Sequence, residues 1–281
     1  MRASLPILLF FLTLAASHAE TKPVIHWSID DPISATKGKI VPTQGPIGPE
    51  FPDFGEANPA IKIQSPSWAA FPSQADFQFD NGDEITVEAW VNPSKNSSSS
   101  APILSKGRTH NAGYSKNNQN FAVRLRNMGG QLCVNFLFHS REIEGGHRPD
   151  WHRWTATSGI PADSGWHHIA VSYKFGDPKS IRGYLDGKEV KGKWDMGGAT
   201  TQAPVVDDDE LWLGSSMAGM ISNSFIGAMD EVALYRKNVS PEELKSRWNH
   251  KPQPLEVPQL VDDQVVVQMF GPLPNHSKIP K

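Results

Sequence analysis

Residues 139–159 concentrate side chains that could bind a ligand. Around Gly145-Gly146 the segment holds carboxylates, guanidinium groups, histidines and two tryptophans. Tryptophan rings offer a large apolar face to the C–H groups of a sugar, while carboxylate and guanidinium groups form strong hydrogen bonds. We therefore predict a ligand site formed by Arg141, Glu144, His147, Arg148, Asp150, Trp151 and Trp154.

The two tryptophans of this segment allow two interpretations. An exposed Trp151 or Trp154 would form a platform for a sugar, and we expect at least one of them to be partly exposed. The alternative is a long hairpin with a tryptophan tucked over the core, where truncation to alanine costs about 3–5 kcal/mol of stability. Spacing alone orients neither ring, so both interpretations stay open.

The sequence contains none of the common catalytic motifs. It has no G-x-S-x-G nucleophile elbow, no H-E-x-x-H zinc helix and no glycine-rich phosphate loop. The nearest carboxylate pair, Glu142 and Glu144, lies in a loop-like segment. His167 and His168 are adjacent, so on a strand they face opposite sides and cannot bind one metal together. The residues therefore favour a protein that is not an enzyme.

Residues 165–190 indicate the kind of fold that positions these groups. Ile169, Val171 and Tyr173 alternate with small or polar residues, as expected for a strand. Asp186-Gly187 predicts a tight hairpin turn. Similar alternating segments recur along the chain, and antiparallel strands at this density predict an all-β sandwich.

Three phrases of the sequence resemble LamG-like jelly-roll domains of the concanavalin A-like lectin/glucanase family. They are ITVEAWVNPS at 85–94, GWHHIAVSY…YLDGKEV at 165–190 and LWLGSS…FIGAMDEVALYRKNVSPEEL at 211–244. The resemblance covers roughly residues 24–250. It implies a jelly-roll β-sandwich of two antiparallel sheets with a short C-terminal helix. Ser240, Pro241 and Glu243 have the order of an N-cap, a first helical residue and a capping-box partner.

The resemblance also bears on catalysis and metal binding. The family includes sugar binders, protein binders and hydrolases. Its laminarinase-type hydrolases carry Glu-x-Asp-x-x-Glu on one strand, and no Glu here is followed by Asp two positions later. Relatives often bind a structural Ca²⁺ between the first and last strands. The resemblance therefore implies Asp230, with Asp30 or Asp31, as calcium ligands; Asp230 pairing with an arginine or capping a turn is the alternative.

Residues outside the alternating segments predict loops and termini. Residues 32–59 are rich in proline and glycine and predict a long loop, and Asp207-Asp208-Asp209 predicts a solvated acidic loop. Residues 1–19 have the charged, apolar and small-residue regions of a secretory signal peptide. The jelly-roll domain then spans residues 20–250. Residues 251–281 form a proline-rich linker and tail that either opens a second domain or adds to a sheet edge.

Composition limits the partners of the exported chain. The 281 residues carry a net charge of −3, which does not favour binding to nucleic acid. No segment after the signal peptide is long and apolar enough to span a membrane. The single cysteine, Cys133, excludes an internal disulfide. We therefore predict a secreted, non-catalytic module that binds a glycan. The alternatives are a protein-interaction or adhesion module of a larger exported protein, and a divergent glycoside hydrolase.

Overall fold

The computed structural model describes residues 20–27, 37–48, 50–51, 53–142 and 149–249. The predicted signal peptide and the proline-rich tail lie outside these ranges. The described residues form fifteen strands and one α-helix, α1, at Pro241–Asn249. In chain order the strands are Ile25–Trp27 (β1), Ile40–Gln44 (β2), Pro59–Ile63 (β3), Ala69–Phe71 (β4), Glu84–Pro93 (β5), Ser100–Lys106 (β6), Phe121–Met128 (β7), Gln131–His139 (β8), Trp151–Pro161 (β9), His167–Lys174 (β10), Asp177–Leu185 (β11), Lys188–Val190 (β12), Gly192–Met196 (β13), Leu211–Leu213 (β14) and Gly227–Tyr235 (β15).

The strands form two antiparallel sheets. The eight-stranded sheet has the order β12-β11-β10-β5-β15-β3-β2, and β1 also pairs with β15. The seven-stranded sheet has the order β13-β9-β8-β7-β6-β14-β4. Phenylalanine, isoleucine, valine and leucine side chains from both sheets fill one continuous core between them. The all-β jelly-roll sandwich with a short C-terminal helix is confirmed.

Strand β10 shows why the chain folds in this way. Ile169, Val171 and Tyr173 point into the core between the sheets. Ala170 points to the opposite side, where it joins a second apolar cluster with Leu244 of α1. Helix α1 therefore covers the outer side of the eight-stranded sheet, and both faces of its central strands are buried.

A buried carboxylate joins α1 to this sheet. Glu88 of β5 accepts hydrogen bonds from Tyr235 Oη at 2.5 Å and from Arg247 Nη1 at 2.6 Å, and His168 Nε2 lies 3.3 Å from its second oxygen. Burial alone would raise the pKa of Glu88, but the contact with His168 and the charge of Arg247 lower it to about 2. Glu88 is therefore ionised and fully paired inside the fold.

Three sequence-based predictions differ from the structure. Residues 40–44, predicted as loop, form the edge strand β2, where Pro42 is tolerated because edge strands leave some N–H groups unpaired. Residues 151–159, predicted as part of a ligand-binding loop, belong to β9. Ser240 does cap α1 through the N–H of Glu243, but the Glu243 carboxylate bonds Thr21 and Arg247 instead of closing a capping box.

The Glu88 contacts predict a loss of stability in acid. The folded pKa of about 2 lies below the reference value of 4.5, so the stabilisation is complete above about pH 4.5 and is lost as the pH falls toward 2. We expect Glu88→Gln to lower the free energy of unfolding by about 3 kcal/mol or more at pH 7, because it leaves Arg247 incompletely paired in a buried place. Urea unfolding from pH 2 to pH 7 measures both effects.

Glu189→Gln is the matched control, because Glu189 pairs with Arg182 while its side chain is 53% exposed. Exposed pairs contribute little to stability, so this variant should follow the wild type across the whole pH range. If Glu88→Gln unfolds at the same urea concentration as Glu189→Gln at pH 7, the buried contacts of Glu88 with Tyr235, Arg247 and His168 do not stabilise the fold.

Candidate functional site

The candidate site lies on the outer face of the seven-stranded sheet, the side turned away from the core. Strand register places Arg124 of β7 beside Asn135 of β8, and Asn135 beside Thr155 of β9. On the same face, His139 pairs with Trp151. Their chain neighbours Phe136 and Trp154 point into the core. The period-two alternation of the strands therefore presents a row of polar and aromatic groups.

Trp151 lies between two side chains on this face. The guanidinium carbon of Arg108 lies 4.3 Å from the centroid of the Trp151 ring, within the range of a cation–π contact. The His139 ring meets the indole edge-on, with centroids 4.7 Å apart. Burial lowers the pKa of His139, so its ring is neutral at pH 7. Trp151 stays half-buried, with an orientation set by both neighbours.

Four arginines and one aspartate occupy this region. Asp195 of β13 accepts hydrogen bonds from Arg126 and from Arg153, the latter at 2.7 Å. Burial alone would raise the pKa of Asp195, but the bond from Arg153 and the two positive charges lower it. Arg124 is 5% exposed and donates through Nε to Asn135 at 2.8 Å, and its Nη2 has no partner among the described residues.

The loop at residues 107–118 positions Arg108. The fully buried Asp209 carboxylate accepts hydrogen bonds from the hydroxyl of Thr109 and from Nδ2 of Asn118. The prediction of a solvated loop at Asp207-Asp208-Asp209 is therefore wrong for Asp209. Arg108 has a positive φ of 55°, and its carbonyl accepts the N–H of Met217. Buried polar bonds on both sides of the loop hold Arg108 over Trp151.

Strained backbone accompanies this loop contact. Arg108 and His110 have φ values of 55° and 65°, and Met217 and Ala218 opposite them have values of 54° and 57°. Non-glycine residues rarely adopt this left-handed region, and strain of this kind clusters at functional sites. Two loops therefore meet beside Trp151 in a conformation that costs stability.

The structure separates the residues that the sequence grouped together. Trp154 is 4% exposed and packs in the core, so its predicted role as an exposed platform is wrong; at the core-facing position of β9 its side chain must fill space between the sheets. Of the two tryptophans, only Trp151 is exposed enough to serve as the predicted sugar platform. Arg141 is exposed and pairs with Asp80 at 3.1 Å, and Asp150 accepts the N–H of Trp151. Glu144, His147 and Arg148 lie outside the described residues.

Sequence reasoning missed three residues of the site. Arg108 and His139 contact Trp151, and Arg124 lies on the same outer face, but all three belong to other strands and loops. The alternation of Ala122, Arg124 and Arg126 between apolar residues of β7 was a usable signal for an outward polar face. That this polar face of β7 lies on the same side of the sheet as Trp151 follows only from the pairing of β7 with β8 and of β8 with β9.

A depression lies at the β13 edge of the sandwich, beside β9. It has a volume of about 390 Å³ and is lined by residues of β11, β12 and β13, including Trp194, Lys179 and Lys191. The Trp194 indole donates to the carbonyl of Pro178 and packs against the core. Arg182 on its wall pairs with Glu189. This groove supplies matched control residues for the site around Trp151.

The predicted calcium ligand Asp230 is completely buried on β15. One carboxylate oxygen accepts a hydrogen bond from Asn58 Nδ2 at 2.8 Å, and the same amide nitrogen donates to the Pro46 carbonyl. Carboxylate and carbonyl oxygens are ligands that Ca²⁺ prefers. Within residues 20–27, 37–48, 50–51, 53–142 and 149–249, no group of three His, Cys, Asp or Glu could hold a metal ion. Asp30 and Asp31 lie outside these ranges, so the calcium site stays a prediction.

Comparison with protein families agrees with this architecture. A family model described as the concanavalin A-like lectin/glucanases superfamily, Laminin_G_3, matches residues 65–245. The chain belongs to this superfamily. A search of curated proteins found no match. None of the described helices is long and apolar enough to cross a membrane.

Solved structures resemble this chain at low sequence identity. Domain 4 of a GH43 extracellular arabinanase from Geobacillus stearothermophilus, solved with arabinotriose, has a TM-score of 0.50 and 19% identity, covering 83% of this chain and 100% of that domain. The CBM40 domain of a Ruminococcus gnavus sialidase, bound to sialyllactose, has a TM-score of 0.44 and 15% identity, covering 68% of this chain and 96% of that one. The botulinum neurotoxin serotype G binding domain has a TM-score of 0.48 and 10% identity, covering 81% and 50%.

The strain at Ala218 predicts a stabilising substitution. Ala218 is exposed and has φ 57° and ψ 26°, a region that glycine adopts without the clash of a Cβ atom. We expect Ala218→Gly to raise the free energy of unfolding by about 1 kcal/mol. Ala75→Gly, in a short 3₁₀ helix, should instead lower it by about 0.5–1 kcal/mol. Equal effects of the two changes would show that the Ala218 backbone is not strained.

The calcium hypothesis predicts a metal-dependent melting temperature. A ligand that binds only the folded state at a hundredfold excess over its Kd stabilises that state by about 2.7 kcal/mol. Thermal unfolding with Ca²⁺ should therefore occur at a higher temperature than with chelator, and Asp230→Asn should remove the difference. The exposed Asp76→Asn should keep it. Coincident wild-type curves would mean that no calcium site exists.

Proposed function

We propose that this domain is a non-catalytic carbohydrate-binding module of an exported protein, and that it binds glycan on the outer face around Trp151. The observation that carries the proposal is the half-buried Trp151 ring, held between Arg108 and His139 on a β-sheet face. Sugar-binding faces need an apolar plate for C–H groups with hydrogen-bonding groups around it. Arg141, Asp150 and Arg153 supply charged groups on or near the same edge.

The rigidity of Trp151 supports the proposal. Arg108 and His139 pack against its ring, and Asp150 Oδ1 accepts the backbone N–H of Trp151 at 2.7 Å, which fixes the main chain at this residue. A preorganised aromatic ring loses little conformational entropy on binding, so more of the contact energy appears as affinity. The ring also sits on a strand, which positions a binding group more precisely than a loop.

The proposal of a non-catalytic role rests on the sequence. Glycoside hydrolysis needs two carboxyl groups that flank the scissile bond, and the strand motif that supplies them in laminarinase-type relatives is missing. We expect no reducing sugar to be released from polysaccharides by the pure protein. Release that is abolished by Glu142→Gln would instead support the hydrolase alternative.

Two tryptophan variants test the proposed site. Trp151→Ala should abolish most glycan binding on an array or in affinity electrophoresis while lowering the melting temperature only slightly. Trp154→Ala should destabilise the fold by about 3–5 kcal/mol, because it empties a core position. Both proteins are measured for melting and for binding.

Trp194→Ala is the matched control, because Trp194 is also a half-buried tryptophan but lines the groove at the β13 edge. It should retain glycan binding. Binding that survives in Trp151→Ala and is lost in Trp194→Ala would move the site to that groove. A large melting loss in Trp151→Ala without a binding defect would mean that Trp151 only covers the sheet.

A further inference from the structure

Two arginines on the outer face near Trp151 carry positive charge without a carboxylate partner among the described residues. Asp195 bonds Arg126 and Arg153. Arg124 bonds only the neutral Asn135, and the guanidinium of Arg108 contacts only the Trp151 ring among the described residues. Two guanidinium groups on one face therefore lack a carboxylate partner in the part of the chain that the structure describes.

Further polar atoms beneath the outer face near Trp151 have no hydrogen-bond partner among the described residues. Arg124 Nη2, Arg108 Nε, His139 Nδ1 and Ser105 Oγ are buried without a hydrogen-bond partner among the described residues. Arg124 and His139 are 5% and 7% exposed, and Ser105 is fully buried. An unsatisfied buried polar group costs about 1–3 kcal/mol, more when it is charged. Among these groups, the guanidinium groups of Arg124 and Arg108 carry the charge that a polar ligand at this face would pair.

Charge repulsion adds to this cost. Burial and the neighbouring charges of Arg108, Arg153 and Arg126 lower the pKa of Arg124 to about 9, so the guanidinium is still charged at pH 7. The charge of Asp195 offsets part of this repulsion. An anion bound beside Arg124 would relieve the repulsion from these three like charges.

We propose that the glycan bound at this site carries an anionic group, and that Arg124 and Arg108 bind it beside the sugar ring on Trp151. The shared chemistry is an oxyanion on a saccharide, either the carboxylate of a uronic or other acidic sugar or a sulfate ester. Arginine suits both because its planar fork can donate two parallel hydrogen bonds. This inference rests on the proposed function and narrows it to acidic glycans.

Matched polysaccharide pairs test the charge requirement with the full chain in calorimetric titrations. Polygalacturonate is compared with its fully methyl-esterified form, and a sulfated galactan with its desulfated form. The charged member of at least one pair should bind about tenfold or more tightly than its neutral partner, as expected for a charge-assisted hydrogen bond. Added salt should weaken that binding. The pair that responds identifies the source of the oxyanion.

Arginine variants locate the charge. Arg108→Gln and Arg124→Gln should each weaken binding of the charged glycan about tenfold or more and remove its effect on the melting temperature. Arg182→Gln, on the wall of the groove at the β13 edge, should leave binding unchanged. If Arg124→Gln fails to fold, Arg108→Gln alone tests the role of the arginines, because Arg108 lies on a loop and its replacement leaves the strands intact.

Three outcomes would overturn the inference. Equal binding of charged and neutral partners would show a neutral-sugar site, and the proposed function would stand without it. Binding of charged glycan that Arg182→Gln weakens, or that Arg108→Gln and Arg124→Gln leave intact, would place the recognition of charge elsewhere. Failure to bind any glycan in a broad array would reject the proposed function and the inference together.

Discussion

The packing of Trp154 between the two sheets is the contact on which the rest of the site depends. Its indole lies so close to Gly183 of β11 and Gly192 of β13 that a Cβ atom on either would come within 2.6 Å and 2.0 Å of the ring. The ring therefore needs two glycines, one in each sheet, to enter the core. Because side chains alternate along a strand, an inward Trp154 forces Arg153 and Thr155 outward.

The same contact orders the outer face across several strands. Trp154 pairs with Phe136, and both rings lie in the core. This register sets Asn135 beside Thr155, with Arg124 next in the row. A slip of one residue would exchange the two faces of β9 and put Arg153 in the core. The core thus determines which polar groups can meet on the surface.

The two buried charges, Glu88 in the eight-stranded sheet and Arg124 in the seven-stranded sheet, differ in how completely they are paired. Glu88 has Tyr235, Arg247 and His168 around it, so its charge is satisfied and helps to hold α1 in place. Arg124 has one neutral partner and three like charges around it. A buried charge with opposite charges around it suits a structural role, whereas a buried charge without such partners costs stability that a bound ligand would recover. Buried groups of equal depth can therefore have different roles.

Sequence patterns predicted the core better than the site, for a physical reason. The core strands at 84–93 and 131–139 follow local alternation, which a single chain segment carries within itself. Strand β2 was missed because proline and glycine dominate its surroundings. Trp151 and Trp154 could not be told apart, since their sides depend on the pairing of β8 with β9 and on its bulge. The partners of Trp151 come from distant parts of the chain.

The net charge of the chain also says little about the charge of the site. The chain carries −3 overall, which suggested nothing about acidic ligands. Yet one face gathers Arg108, Arg124, Arg126 and Arg153 near the carboxylate of Asp195, while the acidic loop at residues 207–209 turns part of its charge inward to bind Thr109 and Asn118. Buried electrostatic interactions are screened much less than exposed ones. The local arrangement of charge, and not the total, therefore determines which ligands the face favours.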